Sequence, residues 1–490
     1  MYTDSSGSHV AQSASPAMPS EKSAAGITGH LGTLDLILTT LAFAGPLAGT
    51  TGYITVMVAF GNGIGTPLTF LAVMVVLLMF SVGYGAMTRY VPKAGAFYAY
   101  ITAGLGRPAG LGSSFLILAS YYSIGVGFYA FAGLTTRHFV VSHGGPDLPW
   151  WFFSLAFWAA VATLAYFHVA ISAKVLGVLL IAEVLVVLVF DAVIMITGGE
   201  EGVSMRPFSI DEFSSGSIGI AFIFAIALFS GFEGTAIYRE ETRNPDRTIP
   251  RATMLVVLFI GLFYALTSWA MITALGTSQA VTRSNEEGAA AFDIVATKFV
   301  GSAFVDITSL LLLTSIFAAH LAIQNVSTRY MYSLAVDGIL PRYLGQAHPR
   351  HKSPARASVT VSAVFLVLTA VLVAAGLTDI EIYTWFAGVA SFTIICAMTI
   401  TSLSAVVYFR KNNHTSVSTW QGTIAPLIAF GSLLVMMYLG IENFPTLIGG
   451  SKILANIMLA VSVAIFAFGV VLAIILRRTK PDVYMRIGRQ

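Results

Sequence analysis

Four of the ionisable side chains inside long apolar stretches of the sequence are candidates for chemistry. They are Glu183, Asp191, Glu233 and His320. An ionisable group at membrane depth costs roughly 2.5–3.5 kcal/mol on insertion scales, so it usually marks a pathway or a partner. A carboxylate there can bind a cation or take up a proton, and a histidine titrates near neutral pH. These residues are the first candidates for binding or coupling chemistry.

Glycine and proline interrupt two of the apolar stretches. The run 44–49 reads Ala-Gly-Pro-Leu-Ala-Gly, and the run 230–235 reads Ser-Gly-Phe-Glu-Gly-Thr, with Glu233 included. A helix loses backbone hydrogen bonds and kinks at such points. The freed N–H groups at a half-helix start can receive an anionic group. The alternative for each break is a packing glycine or a simple proline kink.

Composition identifies the solvent of these stretches. The 490 residues are 56% hydrophobic and only 10% charged, whereas soluble domains are roughly 25% charged. Lipid is therefore the expected solvent. The single cysteine, Cys396, excludes an intrachain disulfide, and no metal cage, phosphate loop or nucleophile triad is recognisable. The net charge is only +3, and the basic residues fall in short loops rather than on one face, which gives no indication of nucleic-acid binding.

Apolar segments long enough to cross a bilayer, which takes about 20 residues, predict an all-α membrane protein with twelve transmembrane helices. The segments are 34–60, 66–88, 109–136, 150–168, 173–198, 217–238, 252–275, 301–327, 357–376, 382–409, 420–440 and 453–476. An even number of spans places both termini on one side. Residues 1–33 lack the apolar core of a secretory signal, so no cleaved signal is expected.

The basic residues predict which side that is. All but five of the 26 lysines and arginines fall in alternate connections or in the terminal tails. The five on the other side are Arg137, Arg206, Arg283, Lys298 and Lys452. By the positive-inside rule, both termini are cytoplasmic in a plasma (inner) membrane. We therefore expect 1–33 to be a flexible cytoplasmic tail and 477–490 a basic cytoplasmic tail.

The two interrupted spans, the first and the sixth, are five apart and enter the membrane from opposite sides. Broken helices at matching places in two oppositely oriented halves indicate an inverted-repeat transporter, with a binding site at the membrane midplane.

Three loop sequences carry a resemblance to a known family. Gly231-Phe232-Glu233-Gly234 followed by residues 239–252 resembles the sixth-helix signature of the amino acid-polyamine-organocation (APC) permease superfamily. Residues 91–100 resemble the loop after its second helix, and residues 327–342 resemble the loop after its eighth. The similarity covers about 34 to 476.

The resemblance implies a LeuT-type 5+5 inverted repeat plus two C-terminal helices. The first five-helix repeat would span 34–198, the second inverted repeat 217–409, and the two accessory helices 420–476. It also implies secondary transport of amino acids or related amines.

The resemblance also suggests a substrate site at the two breaks. Its expected residues are Ala44, Gly45, Leu47, Ala48, Gly49, Ser230, Gly231, Phe232, Glu233, Gly234 and Tyr122. Glu233 would meet a substrate ammonium or bond freed N–H groups; a purely structural tie to span one or ten is the alternative. Phe232 resembles an aromatic gate, though a core aromatic fits as well. Pro46 has no N–H, so a carboxylate-free amine and an amino acid held in an altered way both fit.

Coupling is expected at Glu183. By resemblance it occupies the place where many sodium-independent members carry a lysine between spans one, five and eight. Proton coupling competes there with a structural hydrogen bond to span one or eight. Phe317 and Ala318 stand where sodium-coupled relatives carry two hydroxyls, which argues against sodium. We interpret Asp191 as structural and His320 as a hydrogen-bonded interhelical histidine.

The resulting hypothesis is a permease, not an enzyme, that imports an amino acid or organic amine by alternating access. The expected coupling ion is H⁺, with no cofactor and no metal; the partners are the small-molecule substrate and the lipid bilayer. An exchanger (antiporter) is the nearest alternative. A passive channel and an intramembrane enzyme using His320 or His168 are remote ones, since no second catalytic group is placed beside either histidine. The sequence does not specify an oligomeric state.

Overall fold

The computed structural model describes residues 31–91, 95–167, 173–346, 348, 353–412 and 417–488, and all contacts below are among them. This part of the chain is helical, apart from turns and one isolated bridge between Leu31 and Thr242. His168, the alternative catalytic base, and most of the predicted tail 1–33 lie outside the described residues.

Seventeen helices of six or more residues follow one another along the described ranges. They are α1 (Thr33–Ala44), α2 (46–60), α3 (Thr66–Tyr90), α4 (Ala96–Leu105), α5 (Arg107–Ser142), α6 (Trp150–Phe167), α7 (Ala173–Thr197), α8 (Ile218–Phe229), α9 (Pro245–Leu275), α10 (Ala280–Glu287), α11 (Ala291–Phe299), α12 (Ser302–Val336), α13 (Ala355–Ala374), α14 (Asp379–Asn412), α15 (Ala425–Leu447), α16 (Lys452–Thr479) and α17 (Pro481–Arg486). Within α2, Gly49–Tyr53 is π-helical.

Eleven helical segments of the described chain are long and apolar enough to cross a membrane. The segment Thr33–Phe60 counts once, although it comprises α1 and α2, and Ile218–Ala236 joins α8 to the turn after it. The predicted span 150–168 corresponds to α6, an apolar helix that is shorter than the eleven. The all-helical membrane fold is therefore confirmed, and the count of twelve spans stays a prediction.

Several helices extend beyond the apolar segments that predicted them. α9 begins at Pro245 rather than at residue 252, and α12 continues to Val336 rather than ending at 327. Pro245 occupies the first helical turn, where its missing N–H costs nothing. Hydropathy locates the buried length of a span, and these helices continue past it with polar residues.

Both ends of the described chain contact the same face of the helical bundle, which we call the terminal face. The backbone N–H of Leu31 donates to the carbonyl oxygen of Glu241 (2.9 Å), and the N–H of Gly488 donates to Tyr98 Oη (2.8 Å). On this face Arg239 forms an ion pair with Asp246 (2.7 Å). This agrees with an even number of crossings.

Close helix packing depends on small residues. A Cβ on Gly469 of α16 would lie 2.7 Å from the Cα of Gly112 of α5, so the two backbones meet where both residues lack a side chain. In the centre of the bundle, α1 packs against α7, α9, α12 and the turn that follows α8. That arrangement brings the two predicted breaks together.

Candidate functional site

The first break is a single residue, Gly45. α1 ends at Ala44, Gly45 adopts a left-handed conformation with φ of 53°, and a new helical start follows at Pro46. Glycine reaches this region without steric cost, whereas other L-residues rarely do. Gly45 therefore separates α1 from α2 in the middle of the first span.

The second break is longer. α8 ends at Phe229, Ser230 is extended (ψ 142°), Gly231 has φ of 104°, and a 3₁₀ turn covers Phe232–Ala236. A Cβ on Gly231 would lie 2.4 Å from Cδ1 of Phe43 in α1. Only glycine satisfies both the conformation and the space. The two broken segments are thus in direct contact, as the inverted-repeat interpretation requires.

Glu233 is fully buried inside the second break. Its Oε2 accepts a hydrogen bond from the backbone N–H of Gly231 (2.9 Å), and its Oε1 accepts one from Tyr121 Oη (3.0 Å). Its backbone carbonyl oxygen accepts a third from Tyr84 Oη (2.7 Å). The carboxylate therefore bonds a freed N–H of its own segment, one of the roles considered for it; direct contact with a substrate ammonium stays a prediction.

A small central cavity lies beside the breaks. Its polar lining comes from Tyr53, Ser120, Tyr121, Ser230 and Ser391. It leaves about 10 Å³ for the centre of a water molecule, which is room for roughly one water. The cavity is thus nearly closed in this conformation.

Of the predicted substrate residues, Ser230 is the one that lines the central cavity in the described structure. Phe232 packs edge-on against Phe80 (5.8 Å between ring centroids), and Tyr122 packs against Phe365 (5.6 Å). Tyr121, the neighbour of Tyr122, faces the cavity instead.

The other predicted residues form the walls of the breaks. Ala44, Leu47 and Ala48 are buried in the core, and Gly49 is packed so closely that a Cβ would lie 2.7 Å from Leu228. A Cβ on Gly234 would meet nothing within 4 Å.

Phe43 lines the cavity and was not predicted. Its signal in the sequence is weak, since it is one of 34 phenylalanines, and only its place just before the first break distinguishes it.

Glu183 of α7 lies between the first break and α12. Ser315 Oγ of α12 donates a hydrogen bond to Glu183 Oε2 (2.6 Å), and the backbone N–H of Leu47 also interacts with the carboxylate. This is the predicted location between spans one, five and eight. Ser315 and Ala319, rather than Phe317 or Ala318, are the α12 residues facing Gly45, because a Cβ on Gly45 would lie 3.6 Å from Ser315 Oγ and 3.8 Å from Ala319 Cβ.

Asp191 bonds a different helix. Thr267 Oγ1 of α9 donates to Asp191 Oδ2 (2.9 Å), which fits the structural role expected of it. His320 is fully buried between helices, with its ring centroid 3.6 Å from that of Tyr129. Neither ring nitrogen has a hydrogen-bond partner among the described residues. The expectation of a hydrogen-bonded histidine is therefore wrong for this conformation.

A larger vestibule of about 560 Å³ opens towards the face opposite the terminal face. An aromatic layer separates it from the central cavity: Tyr383 stacks on Phe131 (4.9 Å) and meets Tyr53 edge-on (5.8 Å). Phe131 lines the vestibule and Tyr53 lines the central cavity. Three rings, those of Phe131, Tyr383 and Tyr53, thus separate the two spaces.

The vestibule is acidic. Its titratable lining residues in the described chain are Glu287, Asp293, Asp306, His138 and His143, without a lysine or arginine. Burial raises the pKa of Asp293, which lies in the non-spanning helix α11, while the nearby His138 opposes that shift. Glu287 is paired with Arg283, whose Nε lies 2.9 Å from Glu287 Oε1, so Asp293 and Asp306 are the lining carboxylates without an arginine or lysine partner among the described residues. A cation entering here would meet these two carboxylates.

Towards the terminal face the barrier is deeper. Thr88 and Tyr100 share a hydrogen bond (2.8 Å), and Arg239 Nη1 donates to the carbonyl oxygen of Thr88 (2.8 Å). Further out, Tyr98 Oη donates to Asp337 Oδ2 (2.7 Å). The central cavity is therefore sealed by one aromatic layer on the vestibule side and by several bonded layers on the other.

Two broken helices in contact beside a nearly closed central cavity, within an all-helical bundle of apolar spans, define a multi-pass membrane protein with the LeuT-type fold. The fold is similar to that of the manganese transporter of Eremococcus coleocola in complex with an aromatic bis-isothiourea compound. That similarity has a TM-score of 0.52 and 12% identity, and it covers 93% of this chain and 94% of the other. It shows the fold alone.

Residues 44–483 match the family model "Amino acid permease", and the chain belongs to that family. It is 25% identical over 400 residues to the low-affinity putrescine importer PlaP of Escherichia coli, covering 78% of this chain and 82% of the relative. It is 25% identical to the branched-chain amino acid permease BcaP of Bacillus subtilis, covering 66% and 71%. The lysine-specific permease LysP of Lactococcus lactis is 27% identical, covering 56% of each.

Proposed function

We propose that the protein is a secondary active transporter that imports a small organic amine, or an amino acid, by alternating access coupled to protons. The observation that carries this proposal is the contact of the two breaks at Phe43 and Gly231, beside a cavity with unequal barriers. In this conformation the central cavity is nearly closed. Opening it towards the vestibule requires a smaller rearrangement than opening it towards the terminal face, because only one aromatic layer has to move. Rocking of the broken segments would open each side in turn.

Three features favour a cationic amine as substrate. The vestibule carries two carboxylates, Asp293 and Asp306, that no lysine or arginine of the described chain pairs with. Glu233 lies one hydroxyl away from the central cavity, through Tyr121. The start of α2 offers little for a substrate carboxylate, because Pro46 has no N–H and that of Leu47 faces Glu183. The named relatives transport putrescine, lysine and branched-chain amino acids, so an amino acid is the second candidate.

Glu183 is the proposed proton carrier. It contacts both the start of α2 and Ser315 of α12, two elements that should separate when the carrier changes state. Among the described residues no lysine or arginine forms an ion pair with it. Its negative charge can therefore be balanced by a proton or a small cation.

We further propose that the terminal face is cytoplasmic in a plasma membrane. The support is the excess of arginine and lysine in the connections on that face. A reporter enzyme that is active only on the extracytoplasmic side of the membrane should be inactive when it is fused after residue 490, if this orientation holds.

The test is transport by the purified protein in liposomes. A thermal-shift screen against amines and amino acids first identifies the substrate, because a ligand of the native state raises the apparent unfolding temperature. Saturable uptake of that substrate into empty liposomes, stimulated by an inward proton gradient, is the expected result. Counterflow without net uptake would show an exchanger instead. Conductance without saturation would show a channel and contradict the proposal.

A further inference from the structure

A second cavity lies at the side of the bundle, between α6 and α13, and we call it the lateral cavity. Its volume is about 320 Å³, and its inner end is formed by Tyr129 of α5 and Phe365 of α13. It shares no lining residue with the central cavity. It is therefore separate from the proposed transport site.

The mouth of the lateral cavity faces the lipid. Trp151 and Leu155 of α6 line it and are 43% and 46% exposed on the outer surface of a membrane-spanning bundle. All its lining residues in the described chain are uncharged, and most are apolar. A molecule dissolved in the bilayer could enter sideways, whereas a charged group would find no partner inside.

Two residues that line the lateral cavity have hydroxyl groups without a partner in the described part of the chain. Tyr129 Oη and Thr369 Oγ1 are both buried and form no hydrogen bond with any described residue, and Tyr129 as a whole is 2% exposed. The neighbouring polar groups are satisfied: Ser154 Oγ donates to the carbonyl oxygen of Tyr129 (2.6 Å), and Trp158 Nε1 donates to that of Ser362 (2.9 Å). Buried hydroxyls without partners are unfavourable.

Thr369 also lacks the hydrogen bond that a threonine usually forms within its own helix. A threonine in an apolar helix commonly bonds the carbonyl oxygen four residues earlier. Thr360, on the same helix, does so with Arg356 (2.9 Å), but Thr369 does not. The ring of His320 packs against that of Tyr129. Tyr129 Oη and Thr369 Oγ1 are therefore two hydrogen-bonding groups beside the cavity that are covered in this conformation and have no partner among the described residues.

We propose that the lateral cavity binds an uncharged amphiphile from the bilayer, with an apolar body and one hydroxyl or carbonyl oxygen that bonds Tyr129 and Thr369. The volume is at the lower end of the range for small-molecule pockets, roughly 300–1,000 Å³, which suits a single short chain or ring system rather than a two-chain lipid. Because its walls belong to α5, α6 and α13, the ligand contacts three helices at once.

The experiment is photo-crosslinking of the full-length protein in lipid nanodiscs with a long-chain alcohol bearing a diazirine group. Mass spectrometry of peptides should locate the adducts on the lateral cavity, and excess unlabelled decanol should remove them. Tyr129→Phe and Thr369→Val should each weaken this competition by about threefold to tenfold, the loss expected for one hydrogen bond. The matched control is Thr360→Val, which removes a hydroxyl already bonded within α13 and should change nothing.

A variant that fills the space tests the site without depending on hydrogen bonds. Ala370 lines the cavity, and Ala370→Phe should abolish the adducts while the protein remains monodisperse in detergent. Adducts that are spread evenly over the lipid-facing helices would show simple partitioning and overturn the proposal. Adducts that Tyr129→Phe, Thr369→Val and Ala370→Phe all leave unchanged would do the same. Equal labelling by a diazirine-bearing alkylammonium would refute the uncharged class of ligand.

Discussion

Ser315 of α12 donates a hydrogen bond of 2.6 Å to Glu183 of α7, next to the break at Gly45 in the first span. The bond joins a helix of the predicted first repeat to one of the second. A change in the protonation of Glu183 would therefore alter a contact between the two parts that alternating access requires to move.

If Glu183 carries the proton, Glu183→Gln should bind substrate and perform counterflow but lose stimulation by an inward proton gradient, by at least about tenfold in initial rate. Glutamine keeps an oxygen that can accept from Ser315 but cannot take up a proton. The measurement is uptake into liposomes at several imposed pH differences.

Asp191→Asn is the matched control for that experiment, since Asp191 is also buried on α7 but bonds Thr267 of α9. It should leave the response to the gradient intact. An unchanged gradient response in Glu183→Gln would refute the coupling role.

Glu233→Gln should reduce uptake by about tenfold or more and lower the apparent unfolding temperature. The carboxylate accepts from both the Gly231 N–H and Tyr121 Oη, and an amide can accept only at its oxygen. Hydrogen bonds to charged groups contribute about 1.5–3 kcal/mol. Radiolabelled uptake and a thermal-shift assay measure the two effects. Wild-type rate and affinity in this variant would remove Glu233 from the site.

Gly231→Ala should be destabilising by about 1–3 kcal/mol through backbone strain, with a further cost from the collision of its Cβ with Phe43. Gly234→Ala is the control three residues away, because its Cβ would meet nothing within 4 Å. Thermal unfolding compares the two. The double variant Gly231→Ala with Phe43→Ala should recover part of the loss, and equal stability of both alanine variants would contradict the described break.

Removing a ring from the aromatic layer should make the central cavity more accessible to a reagent in solution. In a Cys396→Ala background, Ser391→Cys places a thiol in the central cavity. Adding Tyr383→Ala should raise its rate of modification by a small cationic thiosulfonate about tenfold, because one ring of the barrier is removed. Tyr438→Ala, at a residue that is 61% exposed on α15, is the control. A rate independent of Tyr383 would place the barrier elsewhere.

The carboxyl group of Asp293, in the vestibule, should make the stability of the folded protein depend on pH. Burial raises the pKa of this carboxyl, so the folded state binds its proton more tightly than the unfolded state does. Stability is then lost as the pH rises from the unfolded pKa through the folded one. Asp293→Asn should thus unfold at a higher temperature than wild type at pH 8 but not at pH 3, while its KM for a cationic substrate increases. Thermal shift and uptake report the two changes. A wild-type KM would show that Asp293 does not attract the substrate.

The spans and both breaks could be predicted from the sequence, because long apolar runs and Gly-Pro or Gly-Phe-Glu-Gly interruptions are local signals. The location of Glu183 followed from the family resemblance. The partners could not be predicted, since they depend on how each helix is rotated and tilted. Ser315 and Ala319 face Gly45, whereas Phe317 and Ala318 do not. Tyr121 and Tyr122 are both candidates from the resemblance, and only the structure distinguishes Tyr121, which faces the cavity, from Tyr122, which packs against Phe365.

The aromatic layer was missed for the same reason. Tyr53, Phe131 and Tyr383 come from three distant parts of the chain, and no periodicity indicates that their rings meet.

The C-terminal segment has a consequence for any movement at the terminal face. The N–H of Gly488 bonds both Tyr98 Oη of α4 and Asp337 Oδ2 at the end of α12, and Ile487 is almost fully buried beside them. A pathway that opens between α4 and α12 has to release this clasp. Ile487 and Gly488 therefore stabilise the closed state of the terminal face, and a purification tag fused after residue 490 would lie next to a contact that has to break.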